Sequence, residues 1–287
     1  MYAQSQRTFQ DNEIVTSDPI FSGMQNMAFG TAIAYSGSIL AVGAPHTTVG
    51  APYDGAVFLF TCDESPGATT VECSSITPTL VPPTAPGSSS SMFGLGIALV
   101  NDGQNLVVTA PLFGCVVPFF SLSFILIYVF TVSSMSESSF NGAVFVYWAD
   151  SGLNWNLINT VYNQETEVEA FSQLGASVDA TVINGQLWIV ALDAANAFAL
   201  VVVCESTTTC TSQGTLYEFQ EDFYLGDTIG QIAIAPGQAL FAATDGHSNY
   251  YYYYCISESE CFQQSYFTYT ASSTSEKNVF VLILESV

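Results

Sequence analysis

The chain has 287 residues, 49% hydrophobic and 14% aromatic, which is long enough for one sizeable core or one large all-β domain. Only Arg7 and Lys277 are basic against 25 carboxylates, giving a formal net charge of −23. That balance all but excludes nucleic-acid binding, which needs cations to displace phosphate counterions, and it disfavours anionic membranes and phosphorylated substrates.

The first residues, MYAQSQRTFQDNEIV, lack the apolar core of a secretory leader, so the N-terminus is expected to be incomplete. Residues 29–45, FGTAIAYSGSILAVGAP, then read as apolar-Gly, a short strand, a Ser-Gly turn, a second strand and Gly-Ala-Pro. Three more copies follow: FGLGIALVNDGQNLVVTAP at 93–111, LGASVDATVINGQLWIVALD at 174–193 and IGQIAIAPGQALFAATD at 229–245. The apolar-Gly pairs are Phe29-Gly30, Phe93-Gly94, Leu174-Gly175 and Ile229-Gly230, and the turns fall at Gly37, Gly103, Gly185 and Gly237. Eight residues beyond each turn glycine stands Pro45, Pro111, Asp193 or Asp245.

A third strand follows each hairpin, at 54–62, 141–149, 196–204 and 249–255, and a fourth is expected at 74–80, 157–162 and 214–219. Four strands per unit in a repeating chain is the pattern of an all-β propeller, since one such sheet cannot bury both of its faces alone. The rival all-β reading is a sandwich of hairpins. A helical protein is not expected, because no segment sustains a 3.6-residue period with caps. The chain reads as one propeller domain over 1–287, with blades near 20–80, 81–162, 163–219 and 220–270, and with 263–287 as the start of a fifth.

The run FGTAIAYSGSILAVGAP with DGAVFLF behind it closely resembles an FG-GAP repeat, the blade of the integrin α-subunit propeller and related extracellular proteins. The resemblance is strong in the first copy and good in the second; the third and fourth keep the spacing and lose the letters. It implies an antiparallel four-stranded propeller. Calcium-binding blades of that family carry an Asp-x-Asp-x-Asp-Gly loop between the first two strands. The turns here, YSGS, VNDGQN, VINGQ and APGQ, are too short and too poor in carboxylates to wrap an ion, so no metal and no cofactor is expected.

Six of the seven cysteines flank the turn after a third strand in local pairs: Cys62 and Cys73, Cys204 and Cys210, Cys255 and Cys261. Disulfides there would staple the outer edge of each blade and indicate an oxidising compartment. Cys115 is left over and opens CVVPFFSLSFILIYVFTV at 115–132, barely long enough for a membrane span and lodged inside blade two. A span there would put two strands of one sheet on opposite sides of a membrane. The segment is therefore expected to stand outside the working fold, as a retained intron would, and membrane contact is expected only through parts not in this chain.

No phosphate loop, HExxH or GxSxG motif is present. His46 and His247, each just after the position eight past a turn, are weak ligand candidates on one propeller end, with solvent-exposed loop histidines as the plainer reading. Asp193 and Asp245 fit hydrogen bonding to loop backbone better than catalysis. Glu165, Glu167 and Glu169 alternate on one side of an extended segment and are a weak cation-site candidate, with a solvated acidic edge as the plainer reading. The run Tyr250–Tyr254 reads as a strand alternating between two blade interfaces. The expected function is a non-catalytic extracellular or cell-surface recognition or adhesion module that takes a protein or glycan ligand through face loops. The alternatives are a propeller enzyme, hydrolase or lyase, with a site at the channel mouth, and a structural repeat fragment without activity of its own.

Overall fold

The computed structural model describes residues 27–48, 54–63, 72–81, 91–113, 142–162, 174–193, 197–219, 230–244 and 249–268. Among them there are sixteen strands in four sheets and no helix. Blade 1 holds β1 (Ile33–Ser36), β2 (Ile39–Ala44), β3 (Ala56–Asp63) and β4 (Glu72–Leu80). Blade 2 holds β5 (Ile97–Val100), β6 (Asn105–Ala110), β7 (Ala143–Ala149) and β8 (Trp155–Tyr162). Blade 3 holds β9 (Leu174–Ile183), β10 (Gln186–Asp193), β11 (Phe198–Val203) and β12 (Thr215–Glu218). Blade 4 holds β13 (Gln231–Ile234), β14 (Leu240–Thr244), β15 (Asn249–Ser257) and β16 (Glu260–Thr268). Each sheet is an antiparallel meander in chain order.

The first two strands of every blade are joined by a short turn, and Gly37, Gly103, Gly185 and Gly237 take φ values of 60, 79, 80 and 69° there. Glycine accepts that left-handed backbone without the Cβ clash that other residues meet. The third strand of blade 2, AVFVYWA of β7, has six of its seven residues buried. A sheet covered on both faces needs such a continuous apolar run rather than strict alternation.

The sheets stack face to face in sequence. Between blades 1 and 2, Val57, Leu59 and Ile39 meet Phe93, Leu106, Val108 and Phe145. Phe93 and Phe145 are fully buried and packed edge to face at 5.3 Å, and each contributes about 1.5–3 kcal/mol by burial. Between blades 2 and 3, Val107, Val144 and Val146 meet Leu187, Ile189 and Leu200. Between blades 3 and 4, Trp188, Val190 and Val201 meet Ile232, Phe241, Tyr251 and Tyr253. Consecutive four-stranded meanders stacked in this way are the blades of a β-propeller, and the hairpin sandwich is set aside.

The tyrosine run lies in β15: Tyr251 and Tyr253 face blade 3, and Tyr253 stacks on its cross-strand neighbour Phe241 of β14 at 4.9 Å, while Tyr254 on the other face is 48% exposed rather than set in a second blade interface. One expectation is corrected. Residues 263–268 do not begin a fifth blade; they belong to β16, the fourth strand of blade 4. The tight turn after Ser257 folds the chain back, so Cys255 pairs with Cys261 and Tyr250 with Phe267. The insertion 115–132 and Cys115 lie outside the described residues.

Candidate functional site

The meander order sends β2, β4 and their counterparts out at the same end of every blade, and β1 and β3 start there. The β2–β3 and blade-to-blade connections therefore share one end, where the weak ligand candidates His46 and His247 were expected. The FG and GAP letters lie at this end, and their geometry shows why they recur.

A Cβ on Gly43, two residues before Pro45, would sit 2.0 Å from the Gly94 carbonyl oxygen. A Cβ on Gly55, at φ +84°, would sit 2.1 Å from the Phe93 oxygen, and Gly55 and Phe93 form a parallel bridge. One blade's Gly-Ala-Pro and Asp-Gly thus receive the next blade's Phe-Gly backbone, with no room for a side chain between. Phe93 N–H donates to the Asp54 carbonyl at 3.0 Å, and Gly55 N–H donates to Thr47 O at 3.0 Å. The Ser91 hydroxyl donates to the same Asp54 carbonyl.

The next junction keeps the plan and changes the letters. A Cβ on Gly142 would lie 2.4 Å from Leu174 O. Thr109 takes the place of Gly43; its hydroxyl donates to Gly175 O at 2.6 Å and accepts from Gly96 N–H at 2.9 Å. Ala197, where the earlier blades have Gly55 and Gly142, holds φ 58° without being glycine.

Phe29 packs on Phe58 at 5.5 Å; Pro45 and Pro111 are buried. His46 is half-buried, with its backbone N–H donating to Met27 O at 3.2 Å. Asp193 is fully buried at the end of β10, opposite Leu174 and Phe198. Phe113 packs edge to face on Phe145 at 5.1 Å and stacks with Tyr162 at 6.0 Å. Gly230 is described just ahead of β13 and is buried. His247, Asp245, Glu165, Glu167 and Glu169 lie outside the described residues. Among the described residues no group of three or more His, Cys, Asp or Glu side chains is arranged to hold a metal ion. No helix among them is long and apolar enough to cross a membrane.

The opposite end carries the short turns and all three disulfides, Cys62–Cys73, Cys204–Cys210 and Cys255–Cys261, with Cα separations of 4.0, 4.3 and 3.9 Å. The first and third join residues directly opposite in antiparallel pairs. Three disulfides suit an oxidising environment.

Sequence reading missed the polar side chains that join the blades. Ser177, Asp179 and Thr181, alternate residues of β9, accept from the N–H groups of Ile232, Ile234 and Gly237 at 3.2, 3.0 and 2.8 Å. They satisfy two amides that strand β13 turns away from its own sheet and one in the turn that follows it. The period-2 Ser-x-Asp-x-Thr in an otherwise apolar strand was the available signal. Burial raises the Asp179 carboxyl above its ordinary range, opposed by the Ile234 and Ala180 N–H donors. Burial also pushes the Tyr253 hydroxyl up to about 12 and raises that of Tyr147.

No protein-family model matches the chain, and no curated protein matches it. Among solved structures, Sqt1 from Chaetomium thermophilum is 11% identical with a TM-score of 0.41, over 80% of this chain and 44% of that one. An engineered GH43 glycoside hydrolase with endo-xylanase and exo-arabinofuranosidase activity is 11% identical with a TM-score of 0.38, over 86% and 42%. Virginiamycin B lyase from Staphylococcus aureus is 10% identical with a TM-score of 0.31, over 84% and 85%. The chain spans less than half the length of the first two.

Proposed function

We propose that the chain is an extracellular recognition module of the FG-GAP type, which binds a protein or glycan through the connections at the Pro45–Pro111 end of its blades and performs no chemistry. The observation that carries this reading is the junction at Gly43, Gly55, Phe93 and Gly94. There the Phe-Gly and Gly-Ala-Pro letters serve to seat one blade on the next while the longer connections leave from that same end. Three disulfides support secretion into an oxidising compartment, and a charge of −23 favours neutral or cationic ligands over anionic ones.

The test is to secrete the full chain from a eukaryotic host, immobilise it, and screen neutral, basic and acidic glycans together with cell-surface proteins. Saturable binding that leaves the ligand intact supports the reading. Release of new reducing or unsaturated sugar ends would replace it with a hydrolase or lyase. Neither binding nor turnover would leave a structural repeat.

A further inference from the structure

At the disulfide end, the loop between β11 and β12 reaches both neighbouring blades. From blade 2, Asn105 Nδ2 donates to Thr207 O at 2.6 Å, and Asn159 Nδ2 donates to Ser212 O at 2.6 Å and to Cys210 Sγ at 3.5 Å. From blade 4, Glu258 Oε2 accepts from Val203 N–H at 2.7 Å and from the Ser212 hydroxyl. The Tyr217 hydroxyl donates to Glu258 O at 2.8 Å and accepts from Cys261 N–H at 3.2 Å. The loop is shaped from within by Glu205, which accepts from Thr211 N–H at 3.0 Å, and by the Cys204–Cys210 bond, whose two residues are 0 and 4% exposed.

We infer that the Cys204–Cys210 loop is a clamp that couples blades 2, 3 and 4, with its disulfide holding Thr207 O and Ser212 where Asn105, Asn159 and Glu258 can reach them. A loop closed only to tie two strands of its own blade needs no such partners. Asn105 is fully buried and has no use for its amide in β6 other than the Thr207 carbonyl and the turn residue Asn101, whose Nδ2 donates to Asn105 Oδ1 at 2.9 Å. Opening the disulfide frees the loop ends, and the three anchoring side chains lose partners that sit on one rigid unit. The Cys62–Cys73 bond, within blade 1, serves as the control.

The experiment is backbone hydrogen exchange read by mass spectrometry on the full chain, comparing C204S/C210S with C62S/C73S. The clamp predicts that C204S/C210S speeds exchange by at least about tenfold at 101–106 in blade 2 and 253–260 in blade 4, while 187–192 stays protected. The control should leave 101–106 and 253–260 unchanged. Faster exchange confined to 203–214 overturns the inference and makes the disulfide a local staple. Should C204S/C210S not fold, N159A/E258A with all three disulfides intact carries the test. It should speed exchange at the same two neighbouring segments, and unchanged exchange there overturns the inference.

Discussion

Replacing Gly175 by alanine tests the account of the blade junction directly. Gly175 has φ +99°, and a Cβ there would lie 2.5 Å from Thr109 Cβ and 3.0 Å from its Cγ2. Carbon atoms in good contact sit about 3.5–4.0 Å apart, so the two blades must separate by about 1 Å at this point. The backbone conformation costs about 1–2 kcal/mol for an L side chain, and overpacking adds about 1–3 kcal/mol. Separation also stretches the 2.6 Å hydrogen bond from Thr109 to Gly175 O, a loss of about 1 kcal/mol. The expected destabilisation is about 3–6 kcal/mol, measured by urea unfolding in oxidising buffer with fluorescence from the three tryptophans. Thr109→Gly costs stability by itself, because Gly96 N–H loses its acceptor, yet it removes the atoms that the introduced methyl group would strike. In that background Gly175→Ala should cost only its backbone share, giving a coupling of about 2–4 kcal/mol in the double-mutant cycle. Equal costs in the two backgrounds would refute the steric account and leave backbone conformation as the whole effect.

Asp179→Asn should become more favourable relative to wild type as pH rises from about 4 to about 7. The buried carboxyl has a raised folded-state pKa, so the folded chain prefers the protonated form and wild type loses stability above the ordinary carboxylate range. A stability difference that does not change with pH would count against this. Gly55→Ala combines φ +84° with a Cβ 2.1 Å from Phe93 O and should cost more than about 4 kcal/mol, seen as loss of soluble protein or rapid thermolysin cleavage. Wild-type resistance in that assay would be the contrary result. Loss of Cys62–Cys73, which closes a separation of 11, should cost about 3 kcal/mol, against about 2 kcal/mol for Cys255–Cys261 at a separation of 6. Urea midpoints of the paired serine variants check the order, and the reverse order would show that docking of the loops outweighs chain entropy.

Periodicity and turn chemistry are local properties, and they made the strands legible. The turn glycines fall where the sequence places them because a two-strand connection of this length demands positive φ within a few residues. The cysteine pairs were legible because each flanks a single turn. The fourth strand of blade 4 was misread as a new unit because its ECFQQSYFT carries aromatic and polar residues without clear alternation, and only pairing with β15 assigns it. The reading of Gly43, Gly94 and Gly175 as motif letters said nothing of their partners, which lie 51 to 66 residues away in the chain.

Short-range information in the chain was enough for the repeat, the meander within each blade and the disulfide pairs, since strands separated by short turns meet their neighbours at little cost in loop entropy. What joins one blade to the next emerged from the folded arrangement alone: Thr109 on Gly175, the Ser177–Asp179–Thr181 row on β13, and Asn105, Asn159 and Glu258 on the Cys204–Cys210 loop. These polar groups look like ordinary surface residues in a linear chain. Their partners are backbone amides and carbonyls of another blade, which carry no letter in the sequence, and their value comes from leaving no buried backbone group unpaired where two sheets meet.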